Sequence, residues 1–123
     1  MSHFDYRKLV RSFHYAVRGL YRLIQDEQNT RVHLIATLFL IVLTIIFRIS
    51  AIEIGVLFFA VAQVFAIEIT NTAIEKLLDI VHPETHSQIA YIKDALAGAV
   101  LIASLIALGV AFFIFIPHIL ALT

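Results

Sequence analysis

Four polar residues lie at helical spacing at the end of a strongly apolar stretch of the sequence. Glu68, Asn71, Glu75 and Asp79 follow one another at intervals of three or four residues, and residues 54–67 before them are almost entirely apolar. On an α-helix these four residues, called here the polar stripe, would share one face. Because an ionised side chain at hydrocarbon depth costs a few kcal/mol, such residues usually face a bundle interior or a wet cavity. The polar stripe therefore predicts a site of chemistry or ion passage.

The members of the polar stripe differ in how strongly they indicate function. Asp79 and the neighbouring Lys76 are explained as charges at the membrane interface, and Glu75 could be a third. Glu68 lies about two helical turns deeper than Lys76, at 3.6 residues per turn, and no basic residue stands one turn away from it. We therefore predict a functional role for Glu68 first and for Glu75 second.

Further polar residues are expected at the same level of the membrane. They stand before the first apolar run and at the start of the third, and they are Glu27, Asn29, Arg31, His33, Lys93 and Asp94. Acidic residues alone would indicate a cation site, whereas acidic and basic residues together indicate an anionic ligand that carries a metal. Mg²⁺ is commonly held by one or two carboxylates together with substrate phosphates. The sequence contains neither GxxxxGK[ST] nor GxGxxG, so the familiar Gly-rich phosphate loops are excluded.

The segments that must position these residues are those of an integral membrane protein. Hydrophobic residues make up 61% of the 123 residues, and the mean hydropathy is +0.94, whereas soluble domains are roughly half apolar. Apolar runs near the length of about 20 residues that crosses a bilayer occur at 32–49, 52–67 and 95–116. A helix that continues from the second run through Asp79 would reach about 40 Å at 1.5 Å per residue. It would therefore cross the bilayer and emerge with the polar stripe near its end.

The N-terminal segment predicts a basic amphipathic helix. Its apolar residues form one stripe with arginines beside it; the stripe is Val10, Phe13, Val17, Leu20, Tyr21 and Ile24, and the arginines are Arg11, Arg18 and Arg22. A helix of this composition lies in the membrane interface rather than across the bilayer. The alternative is an ordinary soluble helix that packs on a partner. The adjoining apolar runs favour the interfacial helix.

The charge distribution predicts the orientation of the chain. Residues 1–31 hold six Lys or Arg against three acidic residues, and no charged residue follows Asp94. By the positive-inside rule the N-terminus is cytoplasmic, so three spans place the polar stripe on the cytoplasmic side and the C-terminus outside. We expect a multi-pass protein of the inner (plasma) membrane.

A row of small residues in the third apolar run predicts close helix packing. Alanine recurs every four residues, at Ala95, Ala99, Ala103, Ala107 and Ala111. Small residues at this spacing let helix backbones approach closely in lipid, although alanine is also a common residue. The pattern favours a helix bundle or an oligomer without fixing the number of subunits.

Four ordered segments resemble the small prokaryotic diacylglycerol kinase and undecaprenol kinase family. They are FHYAVRGL at 13–20, EQNTRVH at 27–33, EITNTAIEKLLD at 68–79 and KDALAGAVL at 93–101. The second and third look more like the undecaprenol kinase branch. The resemblance implies an all-α integral membrane protein with one kinase domain over 1–123, assembled as a homotrimer with its sites between subunits. It implies an interfacial helix over 1–30 and transmembrane helices over 31–49, 52–80 and 88–117.

The resemblance also implies catalytic and metal-binding roles. Glu68 would be the general base that accepts the proton of the lipid hydroxyl, and Asn71 beside it would order the site. Glu75 and Glu27 would hold the Mg²⁺ that bridges the phosphates of ATP. Lys93 would contact phosphate.

Further residues are implied to bind the nucleotide. Asp94 would contact it from the start of the third span. The remaining contacts would come from the connecting loop and from the amphipathic helix, through Glu84, Thr85, His86, Lys8 and Tyr15. The expected partners are ATP, a membrane lipid alcohol, the bilayer and further copies of this chain, and no nucleic acid.

The sequence therefore predicts an ATP-dependent lipid kinase that acts on the primary hydroxyl of undecaprenol. Diacylglycerol is the alternative substrate, because its primary hydroxyl lies at the same depth in the membrane. A small proton- or cation-translocating subunit would explain Glu68 and Glu75, but it makes no demand for Lys93 and Asp94. A structural scaffold leaves Glu68 unexplained.

Overall fold

A computed structural model describes residues 3–123. In it the chain folds into four α-helices. They are α1 (Tyr6–Asp26), α2 (Gln28–Phe47), α3 (Ala51–Val81) and α4 (Ser87–Leu120). By length and composition, α2, α3 and α4 could each cross a membrane. The prediction of a helical membrane protein is confirmed. The chain divides into two compact units, one that ends at Leu34 and one that extends from Ile35 to Thr123, and each is described by itself.

In the first unit, α1 begins at a capping aspartate. The Asp5 side chain accepts hydrogen bonds from the backbone N–H groups of Arg7, at 2.9 Å, and of Lys8, at 3.3 Å. These are N–H groups that have no partner inside the helix. No residue of α1 is buried, and most of the apolar residues of its predicted stripe, such as Val10 and Phe13, are exposed.

The break between α1 and α2 is one residue long. Glu27 has extended backbone angles, with φ at −111° and ψ at 118°, and Gln28 already begins α2. The family resemblance implied an interfacial helix over 1–30, whereas the structure breaks the backbone at Glu27.

In the second unit, a tight turn joins α2 to α3. Arg48 has a φ of 50°, in the left-handed region, directly after α2 ends at Phe47. Ser50 then caps α3: its hydroxyl accepts from the N–H of Glu53 at 3.2 Å, and the Glu53 carboxylate accepts from the N–H of Ser50 at 3.0 Å. This reciprocal arrangement is a capping box, which satisfies two N–H groups at the start of the helix.

Helices α3 and α4 pack against each other more extensively than any other two helices in the described chain. They run antiparallel. Lys93 contacts Asp79 at one end of the pair, and His118 contacts Glu53 at the other. The apolar core lies near the second end, and its buried members are Ile49, Leu57, Ala111, Ile114 and Phe115. The polar stripe therefore lies at the end of the pair away from this apolar core.

The alanine row of α4 is buried along only part of its length. Ala103 and Ala111 are buried, whereas Ala95 and Ala99 are exposed in the single chain. The exposed alanines lie in the half of α4 that also carries Lys93. This half of the small-residue face is uncovered by the described residues of one chain.

Candidate active site

The polar stripe continues the buried face of α3. The buried residues of this helix are, in order, Leu57, Ala60, Val64, Glu68, Asn71 and Thr72. They follow one another at intervals of three or four residues, apart from the adjacent final pair, so they share one face. This face is apolar up to Val64 and polar from Glu68 onward. Glu68, Asn71 and Thr72 therefore occupy a packing face of the helix, not its outer surface.

Glu68 is the most buried acidic residue in the described part of the chain. Its side chain is 2% exposed and is the largest fully buried side chain of the described residues. Burial of a carboxylate is costly unless the group is paired or functionally required. Glu68 therefore faces protein within the described chain, and its catalytic role stays a prediction.

Asn71 and Thr72 bring two further polar side chains to the same buried face. Asn71 is 9% exposed and Thr72 is 4% exposed. The buried Oδ1 of Asn71 accepts no hydrogen bond within residues 3–123, and such an atom costs about 1–3 kcal/mol when it stays unsatisfied. This oxygen is therefore suited to a bound group. Sequence reasoning missed Thr72, although its place four residues after Glu68 puts it on the same face.

The oxygen atoms near the end of α3 fit a magnesium ion in their chemistry. Glu75 lies one turn beyond Asn71 and is half-buried, and Asp79 lies one turn further and is exposed. Within residues 3–123 no three His, Asp or Glu side chains are grouped closely enough to hold a metal by themselves. Mg²⁺ does not require such a cluster, because it commonly takes one or two carboxylates and completes its shell with water and phosphate oxygens. The Glu75 carboxylate and the Asn71 amide oxygen are donors of this type.

An ion pair brings α4 to the polar stripe. The Nζ of Lys93 lies 2.7 Å from the Oδ1 of Asp79, and the two side chains are 36% and 64% exposed. Pairs this exposed contribute at most about 1 kcal/mol to stability, so its main effect is to hold the ammonium group beside α3. The sequence pattern explained Asp79 as an interfacial charge and did not connect it with Lys93. The sequence signal for this pair was that Asp79 and Lys93 stand on either side of one short loop.

The loop from 82 to 86 has its own internal contacts. The Nδ1–H of His82 donates to the backbone oxygen of Glu84 at 3.0 Å. The Nδ1 of His86 accepts from the N–H of Gln88 at 3.1 Å and caps α4. The rings of His82 and His86 lie 5.4 Å apart, edge to face. Glu84, Thr85 and His86 are all exposed, as is Asp94 in α4, and their nucleotide contacts stay a prediction.

Three of the predicted site residues belong to the first unit. Lys8 and Tyr15 are exposed on α1, and the ring of Tyr15 lies 6.4 Å from that of His14. Glu27 stands at the break between α1 and α2. The structure places Lys8 in the first turn of its helix, where its N–H contacts Asp5. The roles of these residues toward nucleotide and metal stay predictions.

A carboxylate is thus buried on a helix long and apolar enough to cross a membrane, and Lys93 of the neighbouring helix pairs with Asp79 at the end of the same polar stripe. Residues 14–115 match the family described as Prokaryotic diacylglycerol kinase. The chain belongs to this family of lipid kinases, because the match covers most of its length. The predicted class of enzyme, a lipid kinase, is confirmed.

Two relatives illustrate the family. An undecaprenol kinase from Bacillus subtilis is 29% identical over 113 residues, which are 92% of this chain and 92% of that protein. A diacylglycerol kinase from Synechocystis is 31% identical over 115 residues, which are 93% of this chain and 66% of that protein. This chain thus spans about two thirds of the Synechocystis relative's length. The two names differ in the lipid, and the two identities are nearly equal.

Proposed function

We propose that this chain transfers the γ-phosphate of MgATP to the primary hydroxyl of a membrane lipid alcohol, with undecaprenol as the preferred acceptor. The single observation that carries the proposal is the burial of Glu68. Its carboxylate is 2% exposed on a membrane-spanning helix, in a chain that belongs to a lipid kinase family. A lipid alcohol enters from the side with its hydroxyl near the membrane interface, and ATP arrives from the water. Glu68 begins the polar stripe, which runs along α3 to Asp79, toward the end of the helix where ATP would arrive.

Glu68 accepts the proton of the lipid hydroxyl as that oxygen attacks the γ-phosphorus. A primary alcohol is a poor nucleophile until its proton is accepted, and a positioned carboxylate contributes typically 10²–10⁴-fold to the rate. Asn71, one turn away on the same buried face, orders the site beside the base. The proton leaves the alcohol oxygen as the new P–O bond forms and the bond to the ADP oxygen breaks.

Phosphoryl transfer requires in-line positioning and neutralisation of phosphate charge more than covalent help from the protein. Lys93 contributes a positive charge, and its pairing with Asp79 at 2.7 Å holds that charge beside the polar stripe. By the family resemblance Glu75 and Glu27 would hold the magnesium ion, with the amide oxygen of Asn71 as a further candidate donor. Bound Mg²⁺ supplies neutralisation of the charge on the β- and γ-phosphates.

The remaining assignments follow the family resemblance. Nucleotide contacts come from the helix α1, from the loop at 82–86 and from α4, through Lys8, Tyr15, Glu84, Thr85, His86 and Asp94. The active site and the N-terminus are cytoplasmic, the C-terminus is outside, and the protein resides in the inner (plasma) membrane. Helix α1 lies in the membrane interface, which its exposed apolar stripe supports. The assembly is a homotrimer with sites between subunits, which suits a chain of 123 residues that is small for enclosing MgATP alone.

The choice of undecaprenol rests first on the resemblance of the segments at 27–33 and 68–79 to the undecaprenol kinase branch, and the chemistry around Glu68 agrees with it. A polyprenol head is a lone hydroxyl, whereas diacylglycerol has two ester carbonyls that would reward extra hydrogen-bond donors. On α3 the neighbours of Glu68 toward the membrane centre, such as Val64 and Phe65, are apolar. The mutual coverage of 92% with the Bacillus undecaprenol kinase supports the same lipid.

A competition assay tests both the reaction and the lipid. Purified protein in lipid micelles would receive γ-labelled ATP, Mg²⁺ and equal amounts of undecaprenol and diacylglycerol. We expect label in both lipids, with a higher kcat/KM for undecaprenol. A ratio that favours diacylglycerol tenfold, or about 1.4 kcal/mol, would overturn the choice of lipid and leave the kinase. Label in neither lipid, under conditions where the protein is folded, would overturn the proposed reaction.

A further inference from the structure

Glu27 alone forms the junction between α1 and α2. Its N–H donates to the backbone oxygen of Leu23 at 2.8 Å and closes the last turn of α1. Its own oxygen accepts from the N–H of Arg31 at 3.3 Å and opens α2. Any movement of α1 against the start of α2 therefore pivots on the residue proposed to bind the metal.

The side chain of Arg31 fastens this junction from the first turn of α2. Its Nη1 donates to the backbone oxygen of Gln25 at 2.7 Å and to that of Ile24 at 3.3 Å. Both oxygens lie at the C-terminus of α1, where the last four carbonyl groups of a helix have no partner inside it. A cation is also favoured there by the helix dipole. Arg31 thus caps α1 while its own backbone belongs to α2.

The sequence around the junction offers no other device for a sharp break. Residues 24–31 contain neither glycine nor proline, the residues that usually end a helix. The guanidinium group is planar and stays charged at all working pH values, so the charge of this cap does not depend on pH. Lysine in its place would keep the charge but would present a smaller donor group on a more flexible stem.

We propose that Arg31 is a positioning residue of the metal site: its cap on α1 fixes the backbone of Glu27 and so directs the Glu27 carboxylate toward the metal. The inference rests on the proposed function, in which Glu27 is a ligand of Mg²⁺. Arg31 itself acts through Glu27 and makes no contact with metal or phosphate. Arg31, Glu27 and the two carbonyl groups that Arg31 contacts all lie in the first unit of the chain.

Metal dependence of the rate is the first readout. Full-length wild type, Arg31→Gln, Arg31→Lys and Glu27→Gln would be assayed against Mg²⁺ concentration at saturating ATP and lipid. Since loss of a residue that orients a metal ligand typically costs 10–100-fold in metal affinity, we expect Arg31→Gln to need about tenfold more Mg²⁺ for half-maximal rate. Its kcat at saturating metal should stay within about threefold of wild type, because the ligand itself remains. Arg31→Lys should fall between the two.

Arg22→Gln is the matched control. Arg22 is an exposed arginine of α1 in the same unit, and it has no place in the proposed site. Its replacement changes the net charge as Arg31→Gln does, so it accounts for any general effect of lost charge at the membrane surface. We expect an unchanged Mg²⁺ requirement in Arg22→Gln.

Hydrogen exchange of the metal-free protein is the second readout and needs no activity. The Glu27 N–H and its neighbours in 23–31 should exchange about tenfold faster in Arg31→Gln, because the junction opens locally when its cap is lost. Exchange in Glu27→Gln should match wild type, since the backbone bonds of that variant are unchanged. If Arg31→Gln does not fold, Arg31→Lys carries both measurements.

The outcomes separate this inference from the proposed function. Faster exchange together with a raised Mg²⁺ requirement supports the role of Arg31. Faster exchange with an unchanged Mg²⁺ requirement, where Glu27→Gln raises it, makes Arg31 a structural cap only and overturns the inference. A raised KM for ATP with unchanged Mg²⁺ dependence overturns it too, because Arg31 would then contact nucleotide. An unchanged requirement in Glu27→Gln marks a failure of the proposed metal ligand, and the inference then fails with it.

Discussion

Replacement of Glu68 by glutamine should separate stability from activity. The two side chains have nearly the same shape, but the amide cannot accept the hydroxyl proton as a base. With loss of a general base worth at least about 10² in rate, turnover should fall at least a hundredfold, or about 2.7 kcal/mol in the activation barrier.

The same substitution should leave the fold intact or make it more stable. Glu68 is 2% exposed, and an ionised group at membrane depth costs a few kcal/mol on insertion scales, whereas a neutral amide costs less. Thermal unfolding in micelles should therefore occur at the wild-type temperature or above it. Activity and stability are expected to move in opposite directions, as at a site where a costly group is kept for its chemistry.

Glu53→Gln is the matched control on the same helix. Glu53 contacts His118 at 3.3 Å, and both side chains are 32% exposed, so loss of this contact should cost no more than about 1 kcal/mol. Glutamine can still complete the capping box with Ser50. Turnover should stay near wild type in this variant. Near-wild-type turnover in Glu68→Gln, or an unfolding temperature well below that of Glu53→Gln, would refute the reasoning about Glu68.

Two other predictions concern the metal and the lysine. Glu75→Gln and Glu27→Gln should each raise the Mg²⁺ concentration needed for half-maximal rate, and the double variant should lose less than the sum of the two, as expected of two residues proposed to share one ion. Strictly additive losses in a rate titration would show that they do not. Asp79→Asn should lower kcat about tenfold by releasing Lys93, while stability changes by less than about 1 kcal/mol because the pair is exposed. An unchanged kcat would remove Asp79 from the site.

Much of the architecture could be predicted because membrane spans are a property of composition. An apolar run of sufficient length has few alternatives to a helix in lipid, so three spans could be read from residue types alone. The burial of Glu68 could be predicted for a related reason. An acidic residue inside such a run, in register with Asn71 and Glu75, has to face protein or water rather than lipid.

The features that could not be predicted depend on local contacts without a strong sequence signal. Asp79 and Lys93 are fourteen residues apart, and only the packing of α3 against α4 shows that they pair. The break at Glu27 contains no glycine or proline, so the helical pattern continues through it. Thr72 was missed because threonine is compatible with a helix interior and is uncharged, so its residue type alone does not indicate a site.

Helix α2 is short, so the thickness of the bilayer should affect the geometry of the proposed site. Its 20 residues span about 30 Å at 1.5 Å per residue, and the apolar part from 32 to 47 spans only about 24 Å, against a hydrocarbon core of about 30 Å. The 31 residues of α3 and the 34 of α4 reach about 46 and 51 Å by the same rise, so these helices have spare length and can tilt. A thicker membrane would therefore place its hydrophobic mismatch on α2, and the first residue beyond α2 is Glu27. The length of the lipid chains should thus affect the position of Glu27, the proposed metal ligand.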